Sequence, residues 1–369
     1  MSGRADYSII GDGPGGCASA VLLSAMGHAV TLYGRRPLRR EAAAAVGGLT
    51  LLEADKTIVA SDIHFTESIA EAITGVRNIV LAVPTSAIVD YATAMAAHLD
   101  PAARVLLAPG HTGGTLAFVR ALADVDSTLA ARVAVAETFT LPFVARMTGP
   151  AEVTVWRRMA HLLIGARPID SLPDFIDAFS TPFPTLEPVE NVMVSSLSNI
   201  NAVLHPPGMI GNIGWIERTR GNFRFYSEGV TPGIASLMGA IDRERLAVAD
   251  AYGVPVAPFL DLFFRAGLTD EENYTSGDIY AAVHNSGPNT LIKSPGELTD
   301  RYVAEDVGCG LVAIAALADA GGVATPIIDS FVRLATEING VDYFREGLNA
   351  DRLGIAGMSA KEVLGHACG

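Results

Sequence analysis

A glycine-rich loop close to the start of the chain is the feature that most constrains how this sequence folds. Residues 9–16 read Ile-Ile-Gly-Asp-Gly-Pro-Gly-Gly, so three of the glycines fit the spacing G-x-G-x-x-G. The loop follows a strand-like run at residues 7–10 and opens a stretch of small apolar residues typical of a helix packed on a sheet. Such a turn lets the backbone approach a pyrophosphate, and the helix start offers free N–H groups to the anion. The sequence predicts a dinucleotide-binding loop, and a structural turn without a ligand is the alternative. The residues assigned to the loop are Gly11, Gly13, Pro14, Gly15 and Gly16.

The patterning of the chain indicates two domains of different fold class. Strand-like and helical runs alternate through the first half, which implies βαβ units and a mostly parallel sheet. Residues 180–188 contain three prolines, and beyond them long helical patterns replace the β-branched runs. We therefore predict a doubly wound α/β Rossmann domain over residues 1–185 and an all-α domain over residues 186–369. The strand-like runs are residues 7–10, 29–33, 78–84, 104–108 and 133–136.

The composition narrows the choice of partners and compartment. Lys and Arg number 26 against 40 Asp and Glu, a formal net charge of −14, which argues against a nucleic-acid backbone or an anionic membrane as the main partner. No signal peptide is visible, and no apolar run approaches the ~18 residues of a membrane-spanning helix. The three cysteines are widely spaced and form no CxxC. We expect a cytoplasmic protein without a metal site, and the weakly charged segment 311–320 suggests a homodimer.

The end of the second predicted strand bears on the choice of nucleotide. Gly34, Arg35 and Arg36 follow the strand at residues 31–33, and no carboxylate occurs before Glu41. An NAD site usually has an acidic residue here that accepts a hydrogen bond from the ribose 2′-hydroxyl, whereas arginines suit a 2′-phosphate. The sequence therefore predicts NADP in preference to NAD, with Gly34, Arg35 and Arg36 in the binding site. A solvated basic turn is the alternative.

A second loop of the predicted sheet is a candidate for the other half of the nucleotide. Val83, Pro84 and Thr85 follow the apolar strand that starts at residue 78. Ligands of open α/β sheets lie at the carboxyl ends of the strands, and the nicotinamide half commonly runs past this position. We assign these three residues to cofactor binding.

The second half contains a polar set in apolar surroundings. Asn201 and His205 are four residues apart in a helix-like run that ends at two prolines, so they share one helix face. A histidine there is suited to proton transfer near neutral pH, and a buried histidine that caps the helix is the alternative. Arg301 has the geometry to hold a carboxylate. Asp306 would orient an imidazolium on His205 if the fold brings the two together, although ordinary helix-terminal charges would look the same.

The order and spacing of these pieces resemble the octopine/nopaline (opine) dehydrogenase family. The resemblance rests on the GxGPxG loop, the NxxxHP segment at residues 201–206, the EGxTP segment at 228–232 with DxER at 242–245, and RYxxED at 301–306. It implies a Rossmann domain followed by an all-α domain of the 6-phosphogluconate dehydrogenase C-terminal type. It also implies the joining of an amino acid to a 2-keto acid through an imine that is reduced by NAD(P)H.

The same resemblance assigns roles to individual residues. His205 matches the catalytic acid/base, Asp306 the acid paired with it, and Arg301 the arginine that holds a substrate carboxylate. Asn201 and Thr231 are assigned to substrate binding. His111 and His284 are the other candidate bases. Two departures matter: the acidic residue after the second strand is absent, and residues 307–311 read Val-Gly-Cys-Gly-Leu where the family implies a proline and an aromatic residue.

Two other functions fit the same scaffold. One is a hydroxyacid or ketoacid reductase similar to the ketopantoate reductase and 6-phosphogluconate dehydrogenase group, which relies on a lysine as acid/base. The second half contains only Lys293 and Lys361, and neither lies in a helical motif of that type. The other is a dinucleotide-binding protein without turnover, against which the set of His205, Arg301 and Asp306 argues.

Overall fold

The computed structural model describes residues 6–35, 37–54 and 56–369, and these form two compact units. The first unit takes in the described residues up to Gly110, the segment Phe118–Val192 and Gly369. The second unit consists of His111–Ala117 and Met193–Cys368. After Val192 the chain belongs to the second unit up to Cys368. The domain boundary after residue 185 stays a prediction from the sequence. The short segment His111–Ala117 groups with the helical unit although its neighbours on both sides belong to the sheet unit.

The first unit is built on a mostly parallel sheet of eight strands, as the sequence predicted. Its order is β12-β11-β8-β7-β6-β1-β2-β5, and only the β8–β11 pair is antiparallel. A smaller sheet of order β4-β3-β10-β9 lies in the same unit. The strands are β1 (Asp6–Ile10), β2 (Ala29–Tyr33), β3 (Leu49–Glu53), β4 (Lys56–Ala60), β5 (Ile63–Thr66), β6 (Asn78–Leu81), β7 (Arg104–Leu107), β8 (Ala134–Thr138), β9 (Phe143–Gly149), β10 (Glu152–Arg158), β11 (Leu162–Arg167) and β12 (Leu186–Pro188).

Helices pack on this sheet through small or apolar faces. In the first helix, residues 16–23 are all buried because small side chains there allow close approach to the strands. The central strands β1 and β6 bury almost every residue, as strands covered on both faces do. The helices are α1 (Pro14–Ala25), α2 (Leu38–Val46), α3 (Ile69–Ile73), α4 (Ile88–Met95), α5 (Gly114–Val125), α6 (Ser127–Ala130) and α7 (Leu172–Phe179).

The second unit is helical, which confirms the predicted fold class. Two of its segments are wound as π-helical turns: the first π-turn is Phe225–Gly229 and the second π-turn is Asp306–Leu311. No helix in the described part of the chain is long and apolar enough to cross a membrane. The helices are α8 (Val192–Leu197), α9 (Ile200–Ile210), α10 (Ile213–Thr219), α11 (Pro232–Tyr252), α12 (Phe259–Arg265), α13 (Glu271–Thr275), α14 (Ile279–His284), α15 (Arg301–Glu305), α16 (Val312–Gly321), α17 (Pro326–Asn339), α18 (Tyr343–Glu346), α19 (Ala350–Leu353) and α20 (Ala360–Cys368).

The DxER motif is a structural network that ties α11 to its neighbours. Arg245 is fully buried and donates to Asp242 Oδ1 from Nε at 2.9 Å, and to the carbonyl oxygens of Leu197 and Ala257. The second oxygen of Asp242 accepts the backbone N–H of Phe259 at 2.9 Å. These contacts satisfy a buried ion pair with additional hydrogen bonds, which is the condition for such a pair to be tolerated. They connect α11 with α8 and the start of α12.

Glu244 in the same motif acts on a different helix. Its two carboxylate oxygens accept the backbone N–H groups of Ile327 and Ile328, each at 2.8 Å. These groups belong to the first turn of α17, where N–H donors have no partner within the helix. The carboxylate therefore caps α17 from outside and also complements its dipole.

We expect Asp242→Ala to destabilise the protein by about 3–5 kcal/mol, because it leaves the Arg245 guanidinium buried without a counter-charge. The free energy of unfolding, measured by urea denaturation, checks this. Arg243→Ala changes an exposed neighbour on the same helix and should stay within about 0.5 kcal/mol. Equal losses in the two variants would contradict the structural role of the motif.

Candidate active site

The glycine loop connects β1 to α1, and a different structural requirement explains the glycine at each position of the motif. Gly11 has φ +116°, and its N–H donates to the carbonyl of Tyr33 at 3.0 Å. A Cβ on Gly16 would lie 1.8 Å from the carbonyl oxygen of Gly11, so only glycine fits there. A Cβ on Gly13 would meet nothing within 4 Å, because this residue faces open space. Space at the second glycine is what a pyrophosphate needs to approach the backbone.

The start of α1 provides the donors for an anion. Gly13 is the N-cap and Pro14 the first residue, which has no N–H to leave unsatisfied. The first intrahelical bond runs from Cys17 N–H to the Gly13 carbonyl at 2.9 Å. The N–H groups of Gly15 and Gly16 precede that bond and lie at the positive end of the helix dipole. The loop therefore fits the diphosphate of a dinucleotide.

The loop after β6 lies beside the glycine loop, at the carboxyl end of the sheet. The N–H of Ala82 donates to the carbonyl of Ile10 at 2.8 Å, and Val83 is close enough to contact a Cβ at Gly11. Pro84 is exposed, while Thr85 is buried at the start of a 3₁₀ turn. Their assignment to the nicotinamide half of the site stays a prediction, and this placement is compatible with it.

A pocket opens at the end of β2, where the ribose of the adenosine half is expected. Arg39 Nη1 donates to the carbonyl of Pro150 at 2.8 Å, and Arg40 forms a 3.1 Å ion pair with Glu67. Arg35 is exposed and does not line this pocket, and Arg36 lies outside the described residues. The pocket is lined by Asp12, Leu32, Gly34, Pro37, Arg39, Arg40, Phe65, Thr66 and Glu67.

Carboxylates that the sequence did not associate with this position also reach it. A Cβ on Gly34 would lie 2.6 Å from an oxygen of the Asp12 carboxylate, so Asp12 packs directly on the end of β2. Glu67 arrives from the end of β5, the strand that pairs with β2. Neither is near Gly34 in sequence, and only the fold shows that the basic turn is faced by acids.

In the second unit, His205 lies on α9 and is almost completely buried, with 5% of its surface exposed. Its Nδ1 is 2.7 Å from Asp306 Oδ2, and its Nε2 is 3.2 Å from the hydroxyl of Tyr226. The imidazole stacks on the ring of Tyr302, with the centroids 3.7 Å apart and the planes inclined by 6°. The predicted pairing of His205 with Asp306 is therefore present in the structure, and its catalytic role stays a prediction.

The local sequence explains why α9 presents this histidine. Asn199 caps the helix by accepting the N–H of Asn201 at 3.0 Å. Pro206 and Pro207 continue the helix but lack N–H groups, so the helix bonds that they would donate are missing directly after His205. The backbone hydrogen bonding of α9 is therefore interrupted directly after His205.

Both polar partners of His205 come from π-helical turns, which are rare and often occur at functional sites. Tyr226 lies in the first π-turn and Asp306 begins the second. Close packing accounts for the departure from the family pattern at residues 307–311. A Cβ on Gly310 would lie 2.9 Å from the Cβ of Ala202, and one on Gly308 would lie 3.2 Å from the ring of Tyr343.

The charge states of this cluster follow from its surroundings. Burial raises the pKa of Tyr226 well above its ordinary value, and the nearby Tyr302 hydroxyl adds to the rise. Tyr226 therefore stays protonated and can donate a hydrogen bond. Desolvation acts to lower the pKa of Arg301, but Glu305 and Asp306 among its neighbours outweigh it, so the pKa lies above its ordinary value. Arg301 remains a cation 5.9 Å above the ring of Tyr302.

A second buried histidine–carboxylate pair lies in the same unit. His111 Nδ1 is 3.5 Å from Glu305 Oε1, and its Nε2 is 3.3 Å from the side-chain nitrogen of Asn201. Glu305 and Asp306 are consecutive in the chain, and each contacts a different histidine, His111 and His205 respectively. The predicted substrate residue Asn201 thus contacts His111, one of the other candidate bases. His284 lies elsewhere, half-buried at the end of α14 against Tyr280.

Thr231 has a structural function in addition to its predicted one. It is the N-cap of α11, where its Oγ1 accepts the N–H of Ile234 at 3.4 Å. Its exposure leaves its assignment to substrate binding as a prediction. Sequence reasoning did not single out Tyr226, Tyr302 or Glu305, although all three lie inside or beside motifs that it used. No cluster of metal-ligating side chains occurs in the parts of the chain that the structure describes.

The fold and site together define a two-domain, nicotinamide-dinucleotide-dependent oxidoreductase. The chain is similar to the octopine/nopaline (opine) dehydrogenase family. Residues 188–339 match the family described as NAD/NADP octopine/nopaline dehydrogenase, alpha-helical domain, and residues 7–126 match the NAD-dependent glycerol-3-phosphate dehydrogenase N-terminus.

Individual relatives are similar to this chain over three quarters of its length or more. The opine dehydrogenase of Arthrobacter sp. (strain 1C) is 29% identical over 365 residues, which is 97% of both chains. The tauropine dehydrogenase of Arabella iricolor is 22% identical over 76% of both. Among solved structures, octopine dehydrogenase in complex with NADH and agmatine has a TM-score of 0.81 at 19% identity, covering 98% of both chains. NADP+-bound yersinopine dehydrogenase has a TM-score of 0.73 at 15% identity, covering 100% of this chain and 99% of that one.

We expect Gly13→Ala and Gly16→Ala to separate nucleotide binding from stability. At Gly13 the new methyl group enters open space, so the melting temperature should stay near wild type while the Kd for the nucleotide rises at least about tenfold. At Gly16 the methyl group meets backbone, which should cost about 1–3 kcal/mol of stability. Calorimetry of nucleotide binding and thermal melts check both. Unchanged nucleotide affinity in Gly13→Ala would contradict the assignment of the loop.

Proposed function

We infer that this chain is an NAD(P)H-dependent oxidoreductase of the opine dehydrogenase type. It condenses the amino group of an amino acid or amine with a 2-keto acid and reduces the resulting imine. The observation that carries this inference is the buried His205–Asp306 pair, at 2.7 Å, in a chain similar to this family. The substrates are small molecules, as they are for the relatives whose complexes contain arginine, pyruvate or agmatine.

The histidine pair suits the proton transfers of imine formation. The amino group must be neutral to attack the keto carbon, so a base has to take one proton from the ammonium ion. His205 can do this at Nε2, because Asp306 binds Nδ1–H and stabilises the imidazolium that forms. The same proton can then return to the hydroxyl of the carbinolamine, which leaves as water. When bound, the nicotinamide nucleotide supplies the hydride that reduces the imine.

Cations and donors near the pair support binding of a carboxylate substrate. Arg301 stays charged and its planar guanidinium can form two parallel bonds to a carboxylate. Asn201 lies one helical turn before His205 and is held by His111. We propose that Arg301 binds a substrate carboxylate, with Asn201 and Thr231 as further substrate contacts. The net charge of −14 is therefore compatible with anionic ligands, since the positive groups are local.

His205→Ala and Asp306→Asn should each lower kcat by at least about 100-fold, because the first removes the acid/base and the second removes the charge that orients it. Nucleotide oxidation in the presence of an amino acid and a 2-keto acid measures this. His161→Ala is the matched control, since it breaks an exposed histidine–carboxylate pair with Glu187 and should leave turnover unchanged. Near-wild-type turnover in either of the first two variants would refute their roles.

We propose that NADP is preferred to NAD, and that Arg39 and Arg40 recognise the 2′-phosphate. Both line the pocket at the end of β2, and two arginines offer a charge and donor pattern that suits a phosphate. Asp12 and Glu67 in the same pocket oppose this preference, which should therefore be moderate. The cytoplasmic location is likewise a proposal, supported by three free cysteines, Cys17, Cys309 and Cys368.

The KM for NADPH should be lower than that for NADH, and Arg40→Ala should raise the KM for NADPH about tenfold with little change for NADH. Steady-state kinetics with both nucleotides checks this. Arg120→Ala, which removes an exposed arginine paired with Asp124, is the control. A tenfold preference of the wild-type enzyme for NADH would contradict the proposal.

Dependence on the amine separates this function from the two alternatives. A hydroxyacid or ketoacid reductase would oxidise NADPH with a 2-keto acid alone, and a protein without turnover would bind the nucleotide but oxidise none. Lysine chemistry has no support here, because Lys293 is exposed and bonds to Asn222, and Lys361 is exposed on α20. We expect nucleotide oxidation only when an amino acid and a 2-keto acid are both present.

The weakly charged segment 311–320, from which a homodimer was predicted, belongs mostly to the core of the second unit. Residues 312–318 of α16 are buried inside the second unit, so their apolar character belongs to its core. A homodimer remains a proposal that this segment does not support. Sedimentation of the purified protein is the measurement that decides it.

A further inference from the structure

Tyr226 contacts His205 but has no role in the proton transfers proposed above for His205 and Asp306. Its hydroxyl is 3.2 Å from His205 Nε2, the nitrogen opposite the one bound by Asp306. The residue is buried, with 4% of its surface exposed, and lies in the first π-turn. Phe225 beside it makes edge contacts with the rings of His205 and Tyr302. The imidazole thus lies in an aromatic enclosure with one polar group at each nitrogen.

A second hydroxyl completes the arrangement. Tyr302 stacks on the imidazole, and its hydroxyl lies near enough to that of Tyr226 to contribute to the raised pKa of Tyr226. A hydroxyl group can donate one hydrogen bond and accept others, and it rotates to suit its partners. Asp306, His205 and Tyr226 therefore form one continuous chain of hydrogen bonds, and the Tyr302 hydroxyl lies near its end.

We propose that Tyr226 is a positioning residue for His205, which holds Nε2 in both protonation states of the imidazole. This rests on the proposed function, in which His205 gains and returns a proton in each turnover. While the ring is neutral, Tyr226 O–H donates to Nε2. Once Nε2 carries a proton, Nε2–H donates to the oxygen of Tyr226, whose own O–H turns to Tyr302. No bond between heavy atoms changes, and the ring stays fully paired throughout.

The geometry favours this function over simple packing. A buried imidazole cannot replace a lost partner with water, so an unpaired Nε2 would carry the full cost of desolvation. The 3.2 Å distance is at the long end of the hydrogen-bond range, so the contact orients the ring and still leaves Nε2 able to exchange its proton with a substrate. Asp306 alone fixes only the opposite nitrogen.

The other charges around the ring are the same in the wild-type protein and in tyrosine-to-phenylalanine variants. Asp306 and Glu305 are the acids at the junction of α15 and the second π-turn. Arg301 lies over Tyr302, and His111 pairs with Glu305. None of these is altered by changing a tyrosine to phenylalanine. A change in the titration of His205 can then be assigned to the hydroxyl groups.

Tyr226→Phe should shift the titration midpoint of His205 to lower pH by roughly one unit, because hydrogen bonds to the charged imidazolium are the stronger ones and are lost with the hydroxyl. Nitrogen NMR of the histidine-labelled full-length protein follows this titration without turnover, and His205→Ala assigns the resonance. In the reductive direction His205 must be neutral to accept the proton of the ammonium ion, so the acidic limb of the kcat profile should move to lower pH by the same amount. The KM for the keto acid should stay within about twofold.

Tyr302→Phe keeps the stacked ring and should shift the midpoint in the same direction by less. Because Tyr302 acts through Tyr226, the double variant should titrate like Tyr226→Phe. Tyr252→Phe is the matched control: it removes a buried tyrosine hydroxyl that bonds only the carbonyl of Leu317 among the described contacts, at 2.8 Å. It should lower the melting temperature and leave the titration of His205 unchanged.

Identical titration midpoints in wild type and Tyr226→Phe would overturn the proposal. If Tyr226→Phe does not fold, an unshifted Tyr302→Phe would overturn it in the same way. An absence of turnover with every substrate pair would contradict the proposed function, while the NMR titration would still decide the part played by Tyr226.

Discussion

The hydrogen bond between His205 Nδ1 and Asp306 is the interaction on which the functional account of this protein depends. It joins two segments about a hundred positions apart in the sequence, and each segment departs from regular α-helical geometry near it. The two prolines that follow His205 leave α9 irregular there, and the second π-turn brings Asp306 to the ring. Gly310 of that turn permits its close approach to Ala202 on α9. Without such a partner, protonation of a buried histidine would be energetically costly.

The second unit concentrates its polar groups around two adjacent acids. Asp306 binds His205, while Glu305 binds His111, which in turn contacts Asn201 one turn before His205 on α9. Two polar connections thus reach α9, one directly from Asp306 and one from Glu305 through His111. The DxER motif is a separate network whose contacts hold α11 to α8, α12 and α17. The side-chain partners of each motif therefore have to be known before a structural motif can be distinguished from a candidate catalytic one.

The sequence could predict features that are local or that have a strong periodic signal. The glycine loop, the central parallel strands and the helical second half all follow from residues close together in the chain. The small sheet formed by β3, β4, β9 and β10 could not be predicted, because the pairing of β3 with β10 that unites it joins distant segments. For the same reason Asp12 and Glu67 at the ribose pocket, and Tyr226 at His205, were found only in the fold. The pairing of His205 with Asp306 was accessible because the family resemblance supplied the missing spatial information.

The central claim is that this enzyme reduces a carbon–nitrogen double bond formed from an amine and a 2-keto acid. The most direct test supplies NADPH that carries deuterium at the transferred hydride position, together with such a pair, and reads the mass of the product. The expected product is a secondary amine that contains the carbon skeletons of both substrates and one deuterium on the former keto carbon. A deuterated 2-hydroxy acid, with the amine left unconsumed, would contradict it.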